Sequence, residues 1–324
     1  MKQSPVFLRA CAHSVGEPRP IESLPDAHEH VALLARLRRL GLSSFRRLSM
    51  PLRSHMLEST QLTLRRAGLV GSDIEAVIDA TASFDYRTRY DELSWLCNAA
   101  GIAKALPVGL FQGFCANFTL GTLMARNFIQ AAQGRQCLIV TADEWDEGFA
   151  TRVLQGGATI ASDGAASFVL AEHSDTGYRV RSLAHVYIPA AMQYVQQSHA
   201  LRYIQHYADG VTRSCKDALR EAGVEARDCK CLVTGNYNSA VQKNLSELLG
   251  IPPALLFCET RADYAHCYAA DPVIALERLD APGRLSAGDL VLISVQGNDI
   301  FGAMVVEYIG PEPSNEHRTA EHVS

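Results

Sequence analysis

The chain has 324 residues, 48% hydrophobic and 20% charged, and its 30 Lys+Arg against 35 Asp+Glu leave a formal net charge of −5. Such a composition supports a large core and excludes disorder over most of the chain. The charge is too small and too mixed for nucleic-acid or membrane-surface binding to be the main task. No apolar run approaches the roughly 20 residues of a membrane span, and Met1-Lys2-Gln3-Ser4-Pro5 lacks a signal peptide's apolar core. A soluble, cytoplasmic protein of about two domains is the expectation.

In chain order, the first 60 residues hold an opening strand over Val6–Ala12, a Pro/Glu-rich loop and a basic stretch from Arg36 to Arg53. The basic stretch reads as a solvated face or as an anionic docking surface. A helix follows and ends at Ala67-Gly68, where glycine caps it. Ala76–Ala80 reads as a buried strand, Asp91–Ala100 as a helix and 108–111 as a short strand. Cys115 then sits on a tight turn opening a helix over 116–133. Cys137–Ala142 and Ala165–Glu172 are further strands.

The second half repeats this plan. Leu64-Arg65-Arg66-Ala67-Gly68 matches Leu219-Arg220-Glu221-Ala222-Gly223, each ahead of a buried strand, the second being Cys231–Thr234. Cys137–Ala142 corresponds to Leu290–Val295, and Ala165–Glu172 to Gly302–Glu307. Strands alternating with helices in two similar sets argue for two α/β halves about a pseudo-twofold axis. Ligands bind beyond the carboxyl ends of strands in such sheets, so equivalent loops can converge on one site. Gly68 precedes Cys115 by nearly the interval at which Gly223 precedes His266, so these two residues occupy nearly equivalent places.

Nine cysteines (Cys11, Cys97, Cys115, Cys137, Cys215, Cys229, Cys231, Cys258 and Cys267), an odd number in a chain read as unsecreted, argue against a disulfide framework. The C-x-C of Cys229 and Cys231 and the adjacent His266-Cys267 lack the spacing of a tetrahedral zinc site. No metal and no resident cofactor are expected. Eight cysteines read as small packing hydrophobes, and Cys115 as a nucleophile, because the start of a helix stabilises a thiolate.

Gly113-Phe114-Cys115-Ala116-Asn117-Phe118-Thr119-Leu120-Gly121 resembles the nucleophile turn of β-ketoacyl-acyl-carrier-protein synthase III enzymes, a branch of the thiolase fold. Ser162-Asp163-Gly164-Ala165-Ala166 is similar to that family's Gly-Asp-Gly-Ala-Gly segment. Leu285–Leu292 with Gln296-Gly297-Asn298 and Phe301-Gly302 resembles its closing strand and glycine-rich turn. The resemblance spans roughly residues 60–310, with the motifs in family order. It implies an α/β thiolase fold: two pseudo-twofold-related βαβαβαββ halves in αβαβα layers. Residues 1–175 would carry the nucleophile, 176–310 the histidine and oxyanion loops, and 311–324 a flexible tail. It also implies an acyl group held on Cys115 as a thioester, delivered by coenzyme A or an acyl carrier protein, in a homodimer or a heterodimer.

The departures from the family pattern direct the chemistry. Where the family's histidine segment would stand, the chain has Gly235-Asn236-Tyr237-Asn238, and where its asparagine would stand, it has His266. The expectation is therefore a Cys115–His266 dyad, with Asn236 adding an amide and the Gly297 N–H forming an oxyanion hole with that of Cys115. One histidine can accept a proton but supplies fewer donors to an enolate than the family pair. That favours acyl transfer to a nucleophilic acceptor over carbon–carbon-forming condensation, with a catalytically silent partner subunit as a third reading. The family's early Trp and Arg motif is absent from residues 20–50, and Ser239-Ala240 stand where an Arg is usual. The standard coenzyme A clamp is thus not expected, and arginines at 36–47 offer an alternative surface for an acidic carrier protein. Tyr187, Ile188, Met192, Tyr194, Tyr203, Ile204 and Tyr207 belong to a region that in this family shapes the pocket, and they read equally as core or dimer contacts.

Overall fold

The computed structural model describes residues 4–83, 91–146, 151–194 and 200–312, Tyr194 by its backbone alone. The chain runs through β1 (Phe7–Val15), β2 (Glu17–Pro20), α1 (Val31–Arg39), β3 (Ser44–Arg47), α2 (Leu52–Ala67), β4 (Ala76–Asp79), α3 (Glu92–Ala99), β5 (Leu106–Gly109) and α4 (Asn117–Gln130). β6 (Gln136–Asp143), the short β7 (Val153–Leu154) and β8 (Thr159–Ile160), and β9 (Gly164–Ala171) come next. Then follow β10 (Gly177–Tyr187), α5 (Ala200–Ala222), β11 (Cys229–Val233), α6 (Ser239–Leu248), α7 (Arg261–Tyr264), α8 (Asp271–Leu279), β12 (Leu290–Gln296) and β13 (Ile300–Gly310).

Strand pairing repeats one pattern twice. The order β5-β4-β6-β9-β1 is matched by β11-β12-β13-β10, and the two sets meet where β1 pairs with β10 at Phe7↔Arg179 and Leu8↔Tyr178. In each set a parallel group is closed by an antiparallel strand, β9 against β6 and β13 against β12. The second set's counterpart of β5 is reduced to one parallel bridge, Leu232↔Leu256. Helix α2 covers the outer face of the first set and α5 that of the second, while α4 and α8 lie between them. β6 and β9 are thus covered on both faces, which is why they read as unbroken apolar runs. This layering is that of the thiolase fold.

Most sequence expectations meet their elements within two residues. Gly68, at φ +67°, caps α2 as expected, with Leu69 N–H donating to Leu64 O at 2.9 Å. Several boundaries differ: β1 runs on to Val15 rather than Ala12, and β13 to Gly310 rather than Glu307. β5 starts at Leu106 rather than 108, because Pro107 is tolerated on a strand at the end of the sheet. α4 stops at Gln130 rather than 133, since Ala132 turns to φ +55°. Residues 313–324 of the expected tail lie outside the described residues, whereas Glu312 is fastened: its carboxylate accepts from Ala10 N and Thr176 Oγ1. The basic stretch divides. Arg36 and Arg39 are exposed, Arg38 pairs with Glu22, and Arg46 lies over the Tyr264 ring.

Candidate active site

Cys115 lies in a 3-10 turn, Phe114–Ala116, that leads into α4. Asn117 ties this turn to the carboxyl end of β4: its Oδ1 accepts from Gly113 N at 3.0 Å, and its Nδ2 donates to Thr81 O at 2.8 Å. His266 is held from the other half. Its N–H donates to Ile160 O at 3.0 Å, and its carbonyl accepts from Ser162 N at 2.9 Å. Ser162 Oγ, in turn, donates to Tyr264 O at 2.5 Å. Next to it, Asp163 is buried against Arg152 at 2.8 Å and accepts from Leu48 N and Trp145 N. The Ser-Asp-Gly segment therefore acts as the brace of the histidine loop.

The two loops bring Cys115 Sγ within 3.3 Å of His266 Nε2. Both flanks carry unusual backbone: Phe114, Ala265 and Tyr268 have φ of +49°, +46° and +54°. Such residues cost on the order of 1–3 kcal/mol each and gather where the surrounding structure fixes a functional geometry. The Tyr237 and Tyr268 rings lie against the imidazole, tilted by 31° and 40° at centroid separations of 5.4 and 5.3 Å.

Asp271, at the start of α8, was not foreseen from the sequence, and it completes the arrangement. Its Oδ2 lies 2.5 Å from His266 Nδ1, and its carboxylate also accepts from Asn236 N, Asn236 Nδ2 and Cys267 N. The signal for it was an acid isolated in the apolar run Ala269–Leu276, since a buried carboxylate requires partners. Burial works against the His266 imidazolium, but the Asp271 carboxylate and the Cys115 sulfur outweigh it and raise its pKa well above the ordinary value.

Asn236 reaches this site by a different route from the one expected. Its Nδ2 donates to Asp271, its Oδ1 accepts from Thr260 Oγ1 at 2.8 Å, and its carbonyl accepts from Thr159 Oγ1. Its amide is therefore occupied in holding Asp271. The space where the family's histidine would project is filled: a Cβ on Gly235 would fall 2.9 Å from the Tyr237 ring. Gly297 also differs from expectation. Its N–H donates to Ile300 O at 2.7 Å within the β12–β13 turn, so it is engaged rather than directed at an oxyanion. What the missing side chain supplies is proximity, since a Cβ there would lie 2.4 Å from Gly113 O.

The other eight thiols are each pushed upward in pKa, foremost by burial. Of the 185–210 residues, Tyr203 and Tyr207 lie toward Cys115, Ile188 is core, and Tyr187, Met192 and Ile204 are exposed; the Tyr194 side chain lies outside the described residues.

Fold and topology define the class: a protein of the thiolase fold, similar to the ketoacyl synthases III. Comparison with known proteins bears this out. The family profile described as 3-oxoacyl-[acyl-carrier-protein] synthase III, C terminal, matches residues 219–308. The β-ketoacyl-[acyl-carrier-protein] synthase III of Rhodobacter capsulatus is 27% identical over 277 residues, covering 78% of this chain and 82% of that protein. That of Aquifex aeolicus is 22% identical over 265 residues with the same coverage. Among solved structures, ChlB3, described as an acyltransferase, superposes with a TM-score of 0.85 at 21% identity, covering 95% of this chain and 99% of that one. FabH, the 3-oxoacyl-(acyl carrier protein) synthase III of Pseudomonas aeruginosa PAO1, gives 0.79 at 17% identity, covering 95% and 100%. No helix among the described residues is long and apolar enough to cross a membrane.

Proposed function

We propose that the protein is an acyltransferase that loads an acyl group from a thioester onto Cys115 and passes it to a nucleophilic acceptor. The observation that carries this reading is the relay of Cys115 Sγ, His266 and Asp271, with contacts of 3.3 and 2.5 Å. The Cys115 thiolate attacks the thioester carbonyl, and the carrier thiol departs with the proton held on His266 Nε2. An acceptor hydroxyl, amine or activated carbon then attacks the acyl-cysteine, His266 takes its proton, and the thiolate is regenerated. Asp271 fixes the imidazole so that Nε2 faces the sulfur. The Cys115 N–H, in the first turn where helical amides lack intrahelical acceptors, is suited to the developing oxyanion.

Decarboxylative condensation is a second reading, supported by the synthase names of the curated relatives. Against it, the Asn236 amide is committed to Asp271 and Thr260, leaving His266 as the side-chain donor at the thiol. Incubation with malonyl and simple acyl donors, on coenzyme A and on a carrier protein, separates the two. Transfer without CO₂ release supports acyl transfer; turnover coupled to CO₂ release from the malonyl donor overturns it. The exposed Arg36 and Arg39 suit an acidic carrier protein. A second copy suits the edge of β5, where Leu106 is 54% exposed; light scattering in solution tests that pairing.

A further inference from the structure

An aromatic wall leads outward from the histidine on the side of the thiol. Tyr237 lies against His266 at a ring-centroid separation of 5.4 Å, Tyr207 lies beside Tyr237, and the Tyr207 and Tyr203 ring centroids lie 6.1 Å apart. The first hydroxyl on this wall is satisfied: Tyr237 OH donates to Gln296 Oε1 at 3.3 Å, and Gln296 Nε2 donates to Ser294 Oγ at 2.8 Å. The last is not. Tyr203 OH is buried without a hydrogen-bond partner among the described residues. Asp299 Oδ1 is in the same state, on a side chain belonging to a residue only 2% exposed.

These two orphans are neighbours of the nucleophile turn. Gln112 Nε2, three residues before Cys115, donates to Asp299 Oδ2 at 3.5 Å. Burial, with the charges of Cys115 and Asp299 adding to it, pushes the Tyr203 phenol up to about 12, so it remains an O–H donor at neutral pH. A buried carboxylate oxygen and a buried phenol are costly to leave unpaired, and beside the nucleophile turn a polar group of a bound substrate can satisfy both. A plain alkyl chain would leave both unsatisfied. A group carrying a hydroxyl would donate to Asp299 and accept from Tyr203.

We propose that Tyr203 and Asp299 form a polar subsite that selects a substrate bearing a hydroxyl group close to the transferred carbonyl. The proposal rests on the acyl-transfer reading of Cys115. The same chemistry can enter on the acyl group or on the acceptor, and two arms of one experiment distinguish them. The first compares 3-hydroxybutyryl-pantetheine with butyryl-pantetheine for the rate of adduct formation on the enzyme. The second compares cis-1,2-cyclohexanediol with cyclohexanol for release of the acyl group.

The wild type should favour the hydroxylated member by roughly tenfold or more in one arm. Tyr203→Phe and Asp299→Asn should each bring that ratio toward one; because the ratio is taken within each variant, a partial loss of folded protein does not distort it. Equal rates in both arms with Cys115 acylated overturn the subsite while leaving acyl transfer intact, as does a preference that survives both substitutions. Absence of any adduct overturns acyl transfer instead, and protection of Cys115 from iodoacetamide by the same four compounds then decides the subsite. Stronger protection by the hydroxylated members, lost in both variants, supports it; equal protection overturns it.

Discussion

Asp271 Oδ2 lies 2.5 Å from His266 Nδ1, and three further N–H groups, from Asn236 and Cys267, converge on the same carboxylate. A carboxylate held by four donors cannot rotate away, so the imidazole has one orientation and its Nε2 meets the Cys115 sulfur. The acid that sets the geometry thus sits on α8, the histidine on the loop before it, and the thiol at the start of α4 in the opposite half.

Replacing Asp271 with Asn removes the charge that opposes burial of the His266 cation. The His266 pKa should fall, because burial alone disfavours the charged ring. Loss of a positioned base should slow acylation by about 10²–10⁴-fold. Ring-proton titration by NMR and single-turnover acylation measure the two effects, and an unmoved titration would dissociate Asp271 from the histidine.

The same pair makes stability depend on pH with a definite sign. His266 has a raised pKa in the fold, against about 6.5 when unfolded. Its contribution is therefore full below about pH 6.5 and is lost as pH rises through the folded value. The stability difference between wild type and Asp271→Asn, from urea unfolding, should be larger at pH 6 than under alkaline conditions.

Much of this was legible in the sequence, for reasons specific to each residue. Gly68 and Gly223 both adopt positive φ and end the matching helices, so the repeat could be read from local chemistry alone. Cys115 and His266 were legible as a pair because the repeat places them at equivalent loops. Asp271 was not, since its role depends on four donors from two segments that come together only in the fold. Asn236 was legible as a neighbour, but Thr260, 24 residues away in sequence, determines what its amide does. Gly297 carries a family motif, yet its N–H closes a turn that no motif reports.

Gly297→Ala should be felt at the nucleophile. The added Cβ would lie 2.4 Å from Gly113 O, a backbone atom with little room to retreat. A loss of about 1–3 kcal/mol is expected, together with slower alkylation of Cys115 as its turn is displaced. Denaturant unfolding and iodoacetamide kinetics check both.

Arg152→Ala should be among the more damaging substitutions outside the site. Arg152 and Asp163 are each 2% exposed at the side chain and bonded at 2.8 Å. Removing one partner leaves a buried charge, at a cost of about 3–5 kcal/mol. Because the same segment braces His266, the folded fraction should also lose acylation rate. Urea unfolding with parallel single-turnover assays measures both.

Acylation of Cys115 is open to direct observation. Intact-mass spectrometry with peptide mapping, after incubation with acyl thioesters on coenzyme A and on a carrier protein, tests it most directly. One acyl mass on Cys115 is expected, absent from Cys115→Ala and formed much more slowly in His266→Ala. An unmodified chain with every donor, or an acyl group on another residue, would contradict it.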